Sequence, residues 1–140
     1  MSAVAILFPG FAMFLLTFCV FCLLGFNRYR AVRKREIDAR YFKLYRDYEE
    51  PERLRVLSRH VSNHFEVPLL FYIALIFIFI TQKVDVVQVV LAWCYVVLRL
   101  FHAYIHLGSN KLTRRFTVFI LSGAVLVAMW GWLFISLLIR

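Results

Sequence analysis

Four long apolar runs, separated by polar connections, constrain this chain more than any motif in it. Residues 3–26 are apolar apart from Thr17, with Pro9 and Gly10 near the start. Runs of comparable character follow at about 67–82, 86–107 and 116–139. About 20 apolar residues in a helix cross the hydrocarbon core of a bilayer. Backbone groups in lipid must be paired within their own segment, so such runs are helices. The chain is 63% hydrophobic over 140 residues, where a soluble domain is nearer half. The expectation is an all-α integral membrane protein, a four-transmembrane-helix bundle forming one domain over residues 1–140. No basic stretch precedes the first run and no small-residue cleavage site follows it, so it reads as a retained span rather than a signal peptide.

Charge gives the orientation. The net charge is +9, and residues 27–59 carry 11 of the 17 Lys and Arg residues. With residues 111–115 included, the first and third connections hold 14 of them. The positive-inside rule puts those two connections in the cytoplasm and both termini outside. Basic residues that flank spans serve topology and anionic headgroups, so no nucleic-acid partner is expected.

The connections carry their own punctuation. Arg28, Arg30, Arg33, Lys34 and Arg35 continue the first helix out of the bilayer. Ile37, Tyr41, Leu44, Tyr45 and Tyr48 recur at helical spacing, which fits a short amphipathic segment on the interface or a loop with aromatic anchors. Glu49, Glu50, Pro51 and Glu52 open a helix, since Pro suits the first turn and acids suit its positive end. That helix runs to Gln82, about 45 Å by its rise, with Pro68 placed to kink it where polar gives way to apolar. Lys83, Val84 and Asp85 form a tight turn, and Gly108, Ser109 and Asn110 break the chain again. Cys19, Cys22 and Cys94 all lie in apolar runs. The C-x-x-C at 19–22 reads as two small apolar residues one turn apart, because the redox motif belongs at a strand-to-helix turn.

Polar residues inside the spans mark the candidate site. Arg59, Asn63 and Glu66 fall within roughly 60° of one helix face. Tyr95, Arg99, His102 and His106 share a face of the third span in the same way. Glu66 lies 15 residues before Thr81 and Arg99 lies 14 after Asp85, so both sit about 22 Å from the outer end of their helices. An unpaired Arg at that depth costs about 3 kcal/mol or more, and a Glu66–Arg99 pair is expected. With Arg28, Arg114 and Arg115 on the same side, the result is a cation-rich pocket for a small anionic or zwitterionic solute. The competing reading is helix-linking polar glue. A metal reading rests on two H-x-x-x-H pairs, His60/His64 and His102/His106, whose spacing can chelate. It is set aside because His60 and His64 point about 100° from the Arg59/Asn63/Glu66 face, only Glu66 offers a carboxylate, and the arginines repel a cation.

These residues resemble a known family, the membrane-associated proteins in eicosanoid and glutathione metabolism (MAPEG). The resemblance covers most of the chain: four spans, a large basic first loop, and R-x-x-x-N-x-x-E at Arg59, Asn63 and Glu66. Arg99-Leu-Phe-His102 is similar to the R-x-x-H of prostaglandin E synthase-like members, and Gly25-Phe-Asn-Arg28-Tyr-Arg30 to the family's G-x-x-R-x-R. Where several members carry a tyrosine late in the third span, this chain has His106. The resemblance implies a homotrimer with glutathione, as co-substrate, held between subunits. It implies that Arg28, Arg59, Asn63 and Glu66 bind the peptide's charged groups, that Arg99, His102 and His106 line the same site, and that Arg115 or Arg114 stabilises the thiolate. The implied activity is that of a glutathione transferase, or a glutathione-dependent peroxidase or isomerase, acting on a lipophilic small molecule that arrives among membrane lipids. Likeness to bacterial members implies a bacterial inner membrane ahead of the endoplasmic reticulum. The alternative is a non-catalytic lipid-binding or scaffolding bundle of the same fold.

Overall fold

The computed structural model describes residues 2–45 and 50–139. A 3-10 turn, Ala3–Ile6, leads into α1, Leu7–Arg33. A single helical turn, α2, covers Tyr41–Leu44. Three long helices follow: α3 over Glu52–Ile80, α4 over Val86–Leu107 and α5 over Leu112–Leu138. Four of these elements are long and apolar enough to cross a membrane. Among the described residues there is no strand, as lipid requires.

The ends of the helices follow from local chemistry. Pro51 caps α3, and its carbonyl accepts from the amides of Leu54 and Arg55. At the other end Gln82 takes the left-handed conformation with φ 56°. This lets the Lys83 amide reach back to the Ile78 carbonyl at 3.1 Å, the bond that closes a Schellman-type terminus. Asp85 then caps α4, its Oδ1 accepting from the Gln88 amide at 2.7 Å. Its second oxygen accepts from the Trp132 indole of α5 at 2.7 Å. Asn110 repeats the left-handed exit after α4, with its amide bonded to the Ile105 carbonyl at 2.7 Å.

Packing is layered along the bundle. The half remote from the basic connections holds the apolar core, where Met13, Phe71, Leu75, Ile78, Val96 and Met129 meet. Phe71 of α3 stacks on Tyr95 of α4 at 4.4 Å between centroids. Gly10 lets α1 close on α3 here: a Cβ at that position would lie 3.0 Å from Leu75 Cδ1. α4 packs most extensively on α5, and α1 on α3. At the basic end a smaller cluster joins Ala31, Ile37, Tyr41 and Leu54. Ile37 and Tyr41 are therefore buried between α1 and α3 instead of lying on a membrane surface. The segment is one turn long, ended by Tyr45 at φ 53°; Tyr48 is outside the described residues. Between the two apolar layers lies a polar one.

Candidate functional site

α4 builds this polar layer because one of its faces carries Gln88, Tyr95, Arg99, His102 and His106, and all five are buried. In a membrane helix the polar stripe turns inward, where protein rather than lipid surrounds it. α3 has two polar stripes at the same depth. The one that faces inward carries His60 and His64, both buried. Arg59, Ser62 and Glu66 on the other stripe are exposed, and Asn63 lies between, half-buried.

The expected Glu66–Arg99 ion pair is not formed. Among the described residues the only side-chain ion pair is Lys34–Glu36 at the basic end. Arg99 is 0% exposed, and its Nη2 donates to the backbone carbonyl of Asn63 at 3.2 Å. Its Nε and Nη1 find no partner among the described residues. The depths of the two groups were matched, but Glu66 sits on the outward side of α3.

Around Arg99 the two H-x-x-x-H pairs close into one cluster. His60 lies 4.7 Å from His64, 5.8 Å from His102 and 4.7 Å from His106, ring centroid to centroid. His102 and His106 are 5.7 Å apart. Both ring nitrogens of His60 and of His102, with His64 Nε2 and His106 Nδ1, have no partner among the described residues. His64 Nδ1 is held by the Thr17 hydroxyl of α1 at 3.1 Å. The rings do not converge on a point: among the described residues no three His, Cys, Asp or Glu side chains are placed to hold a metal ion together.

Three cavities border the cluster. The first, about 190 Å³, is lined by Asn63, His102, Leu112, Arg115, Phe116 and Phe119. It brings together residues from α3, α4 and α5 that the sequence singled out. The second, about 420 Å³, opens at the basic end and includes Asn27, Glu52, Arg53, His106 and Asn110. The third, about 320 Å³, is an aromatic groove between α1 and α3 that His64 reaches from below Phe14, Phe18 and Phe65.

The remaining candidates are placed apart. Arg28 donates to Ser58, which donates to Glu50, and its guanidinium lies over the rings of Phe42 and Tyr45. Arg114 is exposed, whereas Arg115 is half-buried and donates to Asn110 at 2.8 Å. His106 lies on the second cavity, away from the one that holds Asn63 and Arg115. The inward role of His60 and His64 escaped the sequence reading, although its own depth count held the signal. His60 stands 21 residues before Thr81 and His106 stands 21 after Asp85.

A bundle of four apolar helices around a buried arginine and four imidazoles defines an integral multi-pass membrane protein with a polar interior. The sequence model of the MAPEG family matches residues 6–135, and the chain belongs to that family of glutathione-related membrane proteins. No curated protein and no solved structure matches it.

Proposed function

We propose that the chain is a glutathione transferase-like membrane enzyme, which activates the glutathione thiol for conjugation to, or reduction of, a lipophilic electrophile. The observation that carries this is the cavity where Asn63, His102 and Arg115 meet from three helices. A free thiol has a pKa of about 8.5 and its thiolate is the nucleophile. The guanidinium of Arg115 favours that anion, and the Asn63 amide fixes the peptide beside it. Buried Arg99, with two unpaired nitrogens, calls for an anionic partner at this level. Family membership supplies the ligand class.

One chain forms only part of the site. A cavity of about 190 Å³ is below the roughly 300–1,000 Å³ of small-molecule sites. Arg59 and Glu66 do not line it; they lie about one turn to either side of Asn63 on the outward stripe of α3, where a charge facing lipid is costly. A neighbouring subunit of a homotrimer covers that stripe, completes the wall, and lets Arg59 and Glu66 hold the peptide's charged ends. Membrane lipid delivers the electrophile. The basic connections face the cytoplasm of a bacterial inner membrane, with both termini outside.

Calorimetry on the detergent-purified protein tests this. Saturable glutathione binding is expected, lost in Arg59→Ala and in Glu66→Ala. Arg115→Ala lowers turnover about a hundredfold, the effect of removing a donor to a developing anion, while exposed Arg114→Ala retains it. A folded wild type that binds lipid but not glutathione would instead establish the scaffold reading.

A further inference from the structure

The four-histidine cluster belongs to no part of the glutathione assignment except through His102. Stabilising a thiolate also requires that the thiol's proton leave. The first cavity has an apolar lining of Leu112, Phe116 and Phe119, the first two exposed at its rim, while the imidazoles behind it are buried. His102 lines that cavity and is 2% exposed, with both nitrogens unpaired. His106, 3% exposed with Nδ1 unpaired, lines the larger cavity at the basic end. His60, 0% exposed, lines neither cavity and stacks against both rings, 5.8 Å from one and 4.7 Å from the other.

We propose that these imidazoles form a proton exit, in which His102 takes the proton of the bound thiol and passes it through His60 to His106 and the basic-end cavity. The proposal rests on the glutathione assignment above and adds to it a route and two residues, His60 and His106. Imidazole suits the task because each ring can accept at one nitrogen while giving up the proton of the other. In the step, the S–H bond breaks and its electron pair stays on sulfur. A proton binds a His102 nitrogen, one proton moves from each ring to the next, and buffer in the open cavity takes the last. Nothing is oxidised or reduced.

The lining of the two cavities gives the route its direction. The inner cavity is lined by Arg115 of α5 and by no carboxylate. At the exit Glu52 stands beside Arg53, Asn27 of α1 adds a neutral acceptor, and Arg115 reaches the same end through its bond to Asn110. The proton therefore moves from a cavity without a carboxylate to one that has Glu52. On the lipid side, Thr17 pins His64, and Phe14, Phe18, Phe21 and Phe65 cover it, so beyond the cavity at His102 the cluster opens to polar surroundings at His106. A bound cation would block the same nitrogens, and Arg99 opposes one.

The test uses the full chain in detergent with glutathione, following the thiolate's ultraviolet absorbance and proton release to an indicator dye by stopped flow. His60→Phe keeps a ring and removes both nitrogens; His106→Ala leaves a gap open to the larger cavity. Expected in both is a normal thiolate amplitude with proton release slowed about a hundredfold, in line with the contribution of a positioned acid–base group. Free imidazole should restore the rate in His106→Ala, which a merely structural role for His106 would not allow. Should His60→Phe fail to fold, the His106→Ala rescue decides alone. Release at the wild-type rate in either folded variant, no response of His106→Ala to imidazole, or stoichiometric metal in the purified wild type would each overturn the route. Such results with a normal thiolate band remove the route alone; absence of the band from wild type removes the glutathione assignment and the route with it.

Discussion

At the scale of single residues, Arg99 shows how function and stability pull apart. Its guanidinium is wholly buried with one hydrogen bond to a backbone carbonyl. A buried charge without a counter-charge is destabilising, and replacing such groups by apolar side chains of similar volume often stabilises by about 1–4 kcal/mol. Arg99→Met should therefore raise the thermal midpoint of the ligand-free protein and abolish any further rise on adding glutathione. A lowered midpoint would mean that Arg99 holds α3 and α4 together, and that its Asn63 bond outweighs the desolvation. Counting residues from the tight turn puts Arg99 near the level of Asn63 and Glu66, and its bond to the Asn63 carbonyl agrees with that level. The count could not reveal which stripe of α3 faces Arg99. Both Arg59/Asn63/Glu66 and His60/His64 are polar at that level, and rotation about the helix axis is set by packing with α1 and α5. α4 has a single polar stripe, so its inward face was legible.

At the scale of elements, boundaries were legible where a side chain has a specific task and obscure where the chain folds back on itself. Pro51, Asp85 and Gly108 mark helix ends in sequence and in structure. The turn around Ile37 and Tyr41 was ambiguous because four helical residues leave too short a pattern for periodicity to choose between lipid and protein as the surface covered. Asp85 offers a graded test of the α3–α4 corner, because its two oxygens serve two elements. Asp85→Asn keeps the acceptor for the Gln88 amide and loses the charged bond to Trp132, costing about 1.5–3 kcal/mol. Asp85→Ala loses the cap as well, adding roughly 1 kcal/mol. Reversible unfolding in mixed micelles, followed by circular dichroism, should rank wild type above Asn above Ala. Equal losses in the two variants would show that the cap contributes nothing and the α5 tie everything.

At the scale of the molecule, a polar stripe of α3 is left uncovered by the rest of the chain. Glu66 lies 14 residues before the end of α3 at Ile80, about 21 Å along the helix axis and well inside a hydrocarbon layer of about 30 Å. A carboxylate facing lipid there costs on the order of 3 kcal/mol, and Arg59 and Ser62 extend the same stripe. Composition and periodicity showed that a polar stripe exists. They could not show that the stripe points away from α4, because a stripe on α3 could equally have faced it. If another copy supplies the cover, Ser62 of one subunit lies near a neighbour. With Cys19, Cys22 and Cys94 replaced by Ala, Ser62→Cys treated in native membranes with a short bifunctional maleimide should yield covalent pairs. Light scattering of the untreated detergent complex should give the mass of three chains. The single-cysteine design joins two subunits and no more, so the two measurements together separate a closed trimer from random collision. Monomers on the gel with one chain in the micelle would leave the stripe bare to lipid, and the glutathione site would then have to be completed by a different protein.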